Sequence, residues 1–248
     1  MKIFLTNDDG FNAKGIRILD NVLTTAGHEV WVCAPNSQKS STSHSLSDTR
    51  GKSLQEIVAR RYSFDGQPAD CVMQALGMKR LPVEPNLVVS GINAGFNLSI
   101  DILYSGTCGA ASEAATWGYK AIALSVEKSQ DGDEMDFQQA AHFLLRHLEV
   151  FHTMLTPKFY LNINVPHGSD GKTWRPGSKL KLVHRNPALP DDSGVMANGR
   201  EALRNEAFDT DLAICATGSI CVSPIMTAPG LYGVAVQELV ELSAQETD

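Results

Sequence analysis

Short apolar runs that end in polar turns recur along the first two thirds of this chain. Residues 2–6 form the first run, which is too short for a helix and stops at Asn7-Asp8-Asp9-Gly10. This pattern predicts a buried strand followed by a sharp turn. Apolar positions then recur at helical spacing from Ile16 to Ala26, and residues 30–34 predict a second strand. A strand, a helix and a strand within about thirty residues indicate a right-handed βαβ unit.

The same pattern predicts the later elements of an α/β chain. Asp70 is expected to cap a short helix, and residues 159–165 are expected to form a half-buried strand because Asn162 and Asn164 alternate with apolar residues. The chain is irregular from residue 167 to residue 209. Other strands are predicted at residues 60–64, 87–89, 121–125 and 213–225, and other helices at residues 107–117 and 133–150.

Composition narrows the class of protein. The chain has 248 residues, of which 43% are hydrophobic and 20% are charged, as in an ordinary globular α/β domain with an elaboration. A net charge of -7 without a Lys/Arg cluster disfavours binding to duplex nucleic acid. No apolar stretch approaches a membrane span or a signal peptide, and five scattered cysteines form no CxxC pair. We therefore expect a cytoplasmic protein that does not bind membranes.

Asp8 and Asp9 stand side by side after the first predicted strand. In an open α/β sheet, ligands bind at this carboxyl end of the strands. Adjacent carboxylates repel and raise each other's pKa, and a hard divalent cation removes that conflict because carboxylate oxygens are its preferred ligands. The pair predicts a metal site, and a solvated Asp-Asp-Gly turn is the alternative.

Two further polar segments follow predicted parallel strands and are expected at the same edge. Residues 36–49 are rich in serine, whose hydroxyls suit a metal or a phosphate, although spacing does not choose among them. A flexible loop is the alternative there. Residues 90–95 read SGINAG, in which the Asn93 oxygen is a neutral ligand for a hard cation and glycine permits close approach of the backbone to a ligand.

Ser105-Gly106-Thr107 lead into an alanine-rich segment of high helix propensity. The free N–H groups and the dipole of a helix N-terminus create an anion site, which suits a phosphate. Simple N-capping by Ser or Thr is an equally good interpretation of this segment.

Together these motifs resemble the survival protein SurE family. The resemblance runs in order from the first residue to Pro166 and continues more weakly at residues 210–212 and 222–224. In that family a glycine often follows the serine that binds the metal, and in this chain Ser41 stands at the position of that glycine. The matching segments are NDDG (residues 7–10), AP with the serine-rich stretch (34–45), SGINAGFN (90–97), YSGT (104–107) and LNINVP (161–166).

The resemblance implies a fold and an assembly. It implies a Rossmann-like, three-layer α/β core with a mostly parallel sheet over residues 1–166. Residues 167–248 would form a C-terminal extension, a β-hairpin and a helical tail, which is exchanged between subunits in oligomerisation. A homodimer or a homotetramer is therefore expected.

The resemblance also implies site residues and a cofactor. One divalent metal ion per subunit, Mg²⁺ or Mn²⁺, would be bound by Asp8, Asp9, Ser40 and Asn93, of which the two aspartates are the catalytic pair. The residues expected to contact the substrate and its phosphate are Ser43, Asn97, Ser105, Gly106 and Thr107.

The implied activity is that of a 5′/3′-nucleotidase, a phosphoric monoester hydrolase of acid-phosphatase type. Nucleoside 5′- and 3′-monophosphates would be hydrolysed to nucleoside and phosphate by a metal-activated water. An aspartyl-phosphate at Asp8 or Asp9 is the competing mechanism, and a non-catalytic nucleotide-binding stress protein is the alternative function. A receiver-like signalling domain and a dinucleotide dehydrogenase are disfavoured, since the chain shows neither a later Asp with its Lys nor GxGxxG after the first strand.

Overall fold

The computed structural model describes residues 1–127, 137–180 and 209–227. In this part of the chain, nine strands form one sheet. The strands are β1 (Lys2–Thr6), β2 (Glu29–Pro35), β3 (Gln55–Val58), β4 (Arg61–Phe64), β5 (Leu87–Ala94), β6 (Ala121–Val126), β7 (Phe159–Val165), β8 (Trp174–Pro176) and β9 (Ile220–Met226). The helices are α1 (Lys14–Thr25), α2 (Pro68–Val72) with a π-helical turn (Met73–Gly77), α3 (Asp101–Tyr104), α4 (Gly106–Thr116), α5 (Phe137–Met154) and α6 (Asp211–Ala216).

The strand order is β3-β4-β2-β1-β5-β6-β7-β9-β8. The run from β4 to β7 is parallel, whereas β3 pairs antiparallel with β4 and β9 pairs antiparallel with β7. The chain winds outward from β1 in one direction through β2 and β4, and then in the other direction from β5 through β6 and β7. The strand order therefore reverses between β1 and β5, where an open α/β sheet binds ligands.

Helices cover both faces of the sheet, as the three-layer expectation requires. Ile3 and Leu5 of β1 face α1 and α5, which share a core with them. Phe4 points to the opposite face and packs with Cys71 of α2 and the alanines of α4. Neighbouring positions of β1 are apolar because both of its faces are buried, which is typical of a central parallel strand. The expected α/β fold class is confirmed.

The residues after β7 add to the same sheet. β8 and β9 extend it beyond β7, and α6 packs beside them in a third small core. The hairpin and tail are expected within residues 167–248, of which residues 181–208 and 228–248 lie outside the described residues. The division at residue 166 and the exchange between subunits stay predictions.

Several expected elements need correction. The N-cap of α2 is Gln67, and Asp70 lies in the first turn, where its carboxylate accepts a hydrogen bond from the Gln67 amide at 2.8 Å. β5 runs on to Ala94 instead of stopping at Val89, because it keeps pairing with β6 across a register shift between Gly91 and Asn93. β7 is buried on both faces, not half-buried. Residues 211–216 are helical, so only the second half of the predicted strand at 213–225 is a strand.

Two further elements differ from expectation, one in its presence and one in its extent. β3, which no sequence pattern indicated, is an edge strand with all four residues exposed. α5 continues to Met154, four residues past its expected end, while its expected start at residue 133 lies outside the described residues.

All five cysteines are free and buried. In the described part of the chain, we find no helix with the length and apolar character of a membrane span.

Candidate metal and phosphate site

The turn after β1 holds the two adjacent aspartates in a closed loop. Thr6, the last residue of β1, lies opposite Ser90 of β5. Asn7 closes the loop because its Nδ2 donates to the Gly10 carbonyl at 2.9 Å and its Oδ1 accepts from the Gly10 amide at 3.2 Å. Gly10 has φ +100°, a conformation that glycine adopts without strain. Asp8 and Asp9 are thereby fixed at the carboxyl end of the central strand.

Asp8 is a buried carboxylate that contacts the first turn of α4. Its Oδ1 accepts a hydrogen bond from Thr107 Oγ1 at 2.5 Å. Burial and the neighbouring charge of Asp9 raise the pKa of Asp8 from 3.8 to about 7, although hydrogen bonds from Thr107 act in the opposite direction. Without a positive charge nearby, the ionised form of this group is costly.

Asp9 turns toward β5 instead. Its Oδ2 accepts a hydrogen bond from the Ala94 amide at 3.1 Å, and burial raises the pKa of this carboxyl as well. Asn93, the preceding residue of β5, donates from Nδ2 to the Gly95 carbonyl at 2.8 Å. Because that bond commits the Nδ2 group, the side-chain oxygen of Asn93 is the atom suited to a cation. The structure thus brings Asp8, Asp9 and Asn93 to the same strand ends.

Ser105-Gly106-Thr107 lie at the N-terminus of α4, where capping is observed and the expected phosphate contact stays a prediction. Ser105 is the N-cap, and its Oγ accepts from the Cys108 amide at 3.0 Å. Gly106 follows at the point of closest approach, where a Cβ atom would lie 2.9 Å from Cβ of Asp8 and 2.8 Å from Oγ1 of Thr42. The helix N-terminus can therefore rest against the Asp8 carboxylate only with glycine at position 106.

The serine-rich segment lies across the same helix. The Lys39 amide donates to the Asp8 carbonyl at 2.7 Å, which places Ser40 directly after a contact with the aspartate turn. The Ser43 hydroxyl donates to the Leu103 carbonyl at 2.6 Å, so the protein itself uses this predicted phosphate contact. Ser41 has φ +57°, a left-handed conformation that accounts for a glycine being favoured there.

Asn97 is held by the end of β7. Its backbone carbonyl accepts hydrogen bonds from Nδ2 of Asn162 at 2.8 Å and of Asn164 at 3.1 Å, and its amide donates to the Asn164 oxygen at 2.8 Å. Its own Nδ2 donates to Ser125 Oγ at 2.8 Å. The asparagines that made β7 look half-buried therefore position a predicted substrate contact.

A histidine–carboxylate pair near the site escaped the sequence analysis. His44 Nε2 lies 2.6 Å from Glu113 Oε2 on α4, and Glu113 Oε1 accepts from the Trp117 indole at 2.7 Å. Burial raises the pKa of Glu113, but the hydrogen bonds from His44 and Trp117 outweigh it and leave the pKa below its ordinary value. The pair fastens the serine-rich segment to α4, and only the fold brings its members together.

The donor set determines which metal the site could hold. Among the described residues, no Lys, Arg or His forms an ion pair with Asp8 or Asp9, so the charge of both carboxylates is unbalanced. No group of three or more His, Cys, Asp or Glu side chains suited to a metal occurs in that part of the chain. Two carboxylates with amide and hydroxyl oxygens are ligands for a hard cation such as Mg²⁺ or Mn²⁺, not for zinc.

Comparisons with known proteins show which sequences and structures this chain resembles. A family model described as "Survival protein SurE" matches residues 3–184. A protein of Clostridium botulinum (strain Alaska E43 / Type E3), named 5′-nucleotidase SurE, is 39% identical over 239 residues, which cover 91% of this chain and 93% of that protein. A protein of the same name from Solidesulfovibrio magneticus is 44% identical over 91% of both chains. The crystal structure of the SurE protein from Aquifex aeolicus superposes with a TM-score of 0.76 at 26% identity, covering 94% of this chain and 96% of that one.

Proposed function

The chain belongs to the SurE family, and from this premise we propose that it is a divalent-metal-dependent phosphomonoesterase acting on nucleoside 5′- and 3′-monophosphates. The observation that carries the proposal is the buried Asp8 carboxylate, which lies beside Asp9, forms no ion pair with a Lys, Arg or His among the described residues, and contacts the N-terminus of α4. The relatives' name, 5′-nucleotidase SurE, supports the substrate class.

Asp8, Asp9, Asn93 and Ser40 would hold the metal. A bound divalent cation would neutralise both carboxylates, polarise a phosphoryl oxygen and acidify a coordinated water. Thr107 fixes the rotation of the Asp8 carboxylate, and the Ala94 amide fixes that of Asp9. These bonds orient the carboxylates before any ligand arrives, which lowers the cost of organising the site during the reaction.

The first turn of α4 would bind the phosphate. The amide groups at the start of a helix lack intrahelical partners and attract anions. Because Thr107 belongs to that turn and bonds to Asp8, the phosphate and the metal would occupy adjoining positions. Asn97, which β7 holds in place, would contribute a further polar contact to the substrate.

Water is the proposed nucleophile. A carboxylate that holds the metal and also accepts a hydrogen bond from Thr107 or Ala94 is a poor nucleophile because its lone pairs are already engaged. A quenched turnover with labelled nucleotide should yield no phospho-aspartate. Isolation of phosphorylated Asp8 or Asp9 would establish covalent catalysis instead.

The decisive experiment is phosphate release from nucleoside 5′- and 3′-monophosphates by the purified protein. We expect none with EDTA, recovery with Mg²⁺ or Mn²⁺, and loss in Asp8→Asn. Release that is indifferent to EDTA would refute the metal requirement. Nucleotide binding without release under any metal would identify a binding protein of the same fold.

A further inference from the structure

The loop between β5 and α3 contains a residue in a costly backbone conformation. Ser99 has φ +55°, which a non-glycine residue adopts only when its surroundings impose it. This loop connects Asn97 with α3, and α3 leads directly to Ser105 at the N-terminus of α4. The geometry of Ser99 therefore affects how the two proposed phosphate contacts are placed relative to each other.

A buried carboxylate from the far end of the chain holds this residue. The Ser99 amide donates to Oδ2 of Asp211 at 2.6 Å, across 112 positions of sequence. Oδ1 of Asp211 accepts from the amide of Leu212 at 2.9 Å. Asp211 is fully buried, and both of its carboxylate oxygens accept hydrogen bonds from backbone amides. A buried amide that lost its acceptor here would cost free energy.

Apolar contacts join the same two segments. Leu98 and Ile100, on either side of Ser99, pack in one core with the side chains of α6, such as Leu212 and Ile214. These contacts bring the loop and the helix together, but they do not specify a backbone angle. The directional hydrogen bond that the Ser99 amide donates to the Asp211 carboxylate does so.

We infer that Asp211 is a positioning residue for phosphate binding, which acts through Ser99 on the placement of Asn97 and Ser105. This inference rests on the proposed function for its kinetic part. It assigns a role in the site to α6, a helix that lies beyond the residues expected to form the catalytic core. Asp211 contacts neither metal nor substrate in this account.

The test compares Asp211→Ala and Asp211→Asn with Thr210→Ala. Thr210 caps α6 by accepting from the Ala213 amide at 3.2 Å, so its loss weakens the same helix while the bond from Asp211 to Ser99 stays. Amide hydrogen exchange of residues 96–100 reports the loop directly. KM for AMP, the inhibition constant of inorganic phosphate and the Mn²⁺ activation midpoint report the site.

In Asp211→Ala we expect faster exchange at residues 96–100 and a rise of roughly tenfold in KM and in the phosphate inhibition constant, as small misplacements of binding groups produce. The Mn²⁺ midpoint should stay within about twofold, because Asp8, Asp9 and Asn93 lie outside this loop. Asp211→Asn should be intermediate, since the amide keeps one acceptor oxygen. Thr210→Ala should keep the constants of the parent protein.

Two results would overturn the inference. One is a lower yield of active enzyme in Asp211→Ala with KM, inhibition constant and exchange unchanged, which would mean that the carboxylate serves overall stability only. The other is the same kinetic change in Thr210→Ala. If the parent protein releases no phosphate, the proposed function fails, and exchange together with calorimetric AMP binding decides the role of Asp211 separately.

Discussion

At the scale of single residues, the two adjacent carboxylates lower the stability of the metal-free protein, whereas the proposed activity requires them. The pKa of Asp8 is 3.8 in the unfolded chain and about 7 in the fold, so folding takes up a proton between these pH values. The stability of the metal-free protein therefore falls as pH rises through this range. Within this range the stability falls by about 1.4 kcal/mol per pH unit for the one proton taken up.

Asp8→Asn removes this titration and the repulsion with Asp9. In EDTA, we expect the variant to be more stable than the parent protein at pH 8, with a smaller advantage at pH 5, as measured by urea unfolding. With Mn²⁺, its phosphate release should fall roughly a hundredfold or more, because a charged ligand of the proposed metal site is lost.

Asp48→Asn is the matched control, since it makes the same charge change at an exposed residue paired with Arg50. It should neither stabilise the metal-free protein at pH 8 nor lower phosphate release. A metal-free Asp8→Asn protein that is less stable than the parent at pH 8 would contradict the account of the buried carboxylate.

Gly106 provides a second test at this scale. In Gly106→Ala, the new methyl group would lie 2.9 Å from Cβ of Asp8, so the first turn of α4 must move away from the carboxylate. We expect phosphate release to fall roughly tenfold or more. Stability should change by only about 1–2 kcal/mol, because alanine's better helix propensity offsets part of the overlap. Ser112→Ala on the same helix should leave activity unchanged, and full activity in Gly106→Ala would show that the close approach is unnecessary.

Local sequence could predict the residues whose roles depend on a turn or a helix end. Asp8, Asp9 and Ser105 each adjoin a strand end or a helix start, and the structure places them there. Asn162 could not be recognised in this way, because a buried amide that serves a distant backbone follows the same alternation as a solvent-facing one. The same holds for Asp211, whose partner is 112 residues away.

At the scale of elements, the pair of Glu113 and His44 links the serine-rich segment to α4. Glu113→Gln keeps an acceptor for the Trp117 indole but removes the charge beside His44. We expect a loss of about 1 kcal/mol or less at neutral pH, since the His44 side chain is 39% exposed. The Mn²⁺ midpoint should rise a few-fold as Ser40 becomes less well placed.

The pH dependence of this loss has a defined sign. Because the pKa of Glu113 lies below its ordinary 4.5, its contribution is present above that pH and is lost as pH falls through the lowered value. Unfolding of parent and variant from pH 3 to pH 7 should therefore converge at the acid end. Trp117→Phe, which leaves His44 paired, serves as the control; a stability difference that grows toward low pH would contradict this account.

Most elements could be predicted because their buried apolar residues form a recognisable pattern in the sequence, as the apolar runs of β1, β2 and β6 show. The exceptions have physical reasons. β3 is exposed at every residue and pairs only along the sheet edge, so it carries no apolar periodicity. α6 is a six-residue helix buried on all sides, and a short buried helix cannot be told from a strand by its apolar residues.

At the scale of the whole molecule, the sheet carries the site, and residues 178–179 contact residues 209–210. The Ser178 amide donates to the Asp209 carbonyl at 3.0 Å, and Lys179 forms an ion pair with Asp209 at 2.7 Å. Residues 179 and 210 also form a parallel bridge. These contacts link the residue pair that follows β8 to the residue pair that precedes α6.

This geometry allows a test of the expected exchange between subunits. Replacing residues 181–208 with four glycine and serine residues shortens the connection roughly sevenfold, which lowers the entropic cost of closing it by about 1.7 kcal/mol. We expect the shortened protein to keep β8, α6 and the bond from Asp211 to Ser99, and so to keep KM for AMP within about twofold. Light scattering should show a homodimer or homotetramer for the full chain and a monomer for the shortened one. Equal association in both proteins would place the contact elsewhere, and a monomeric full chain would refute the expected assembly.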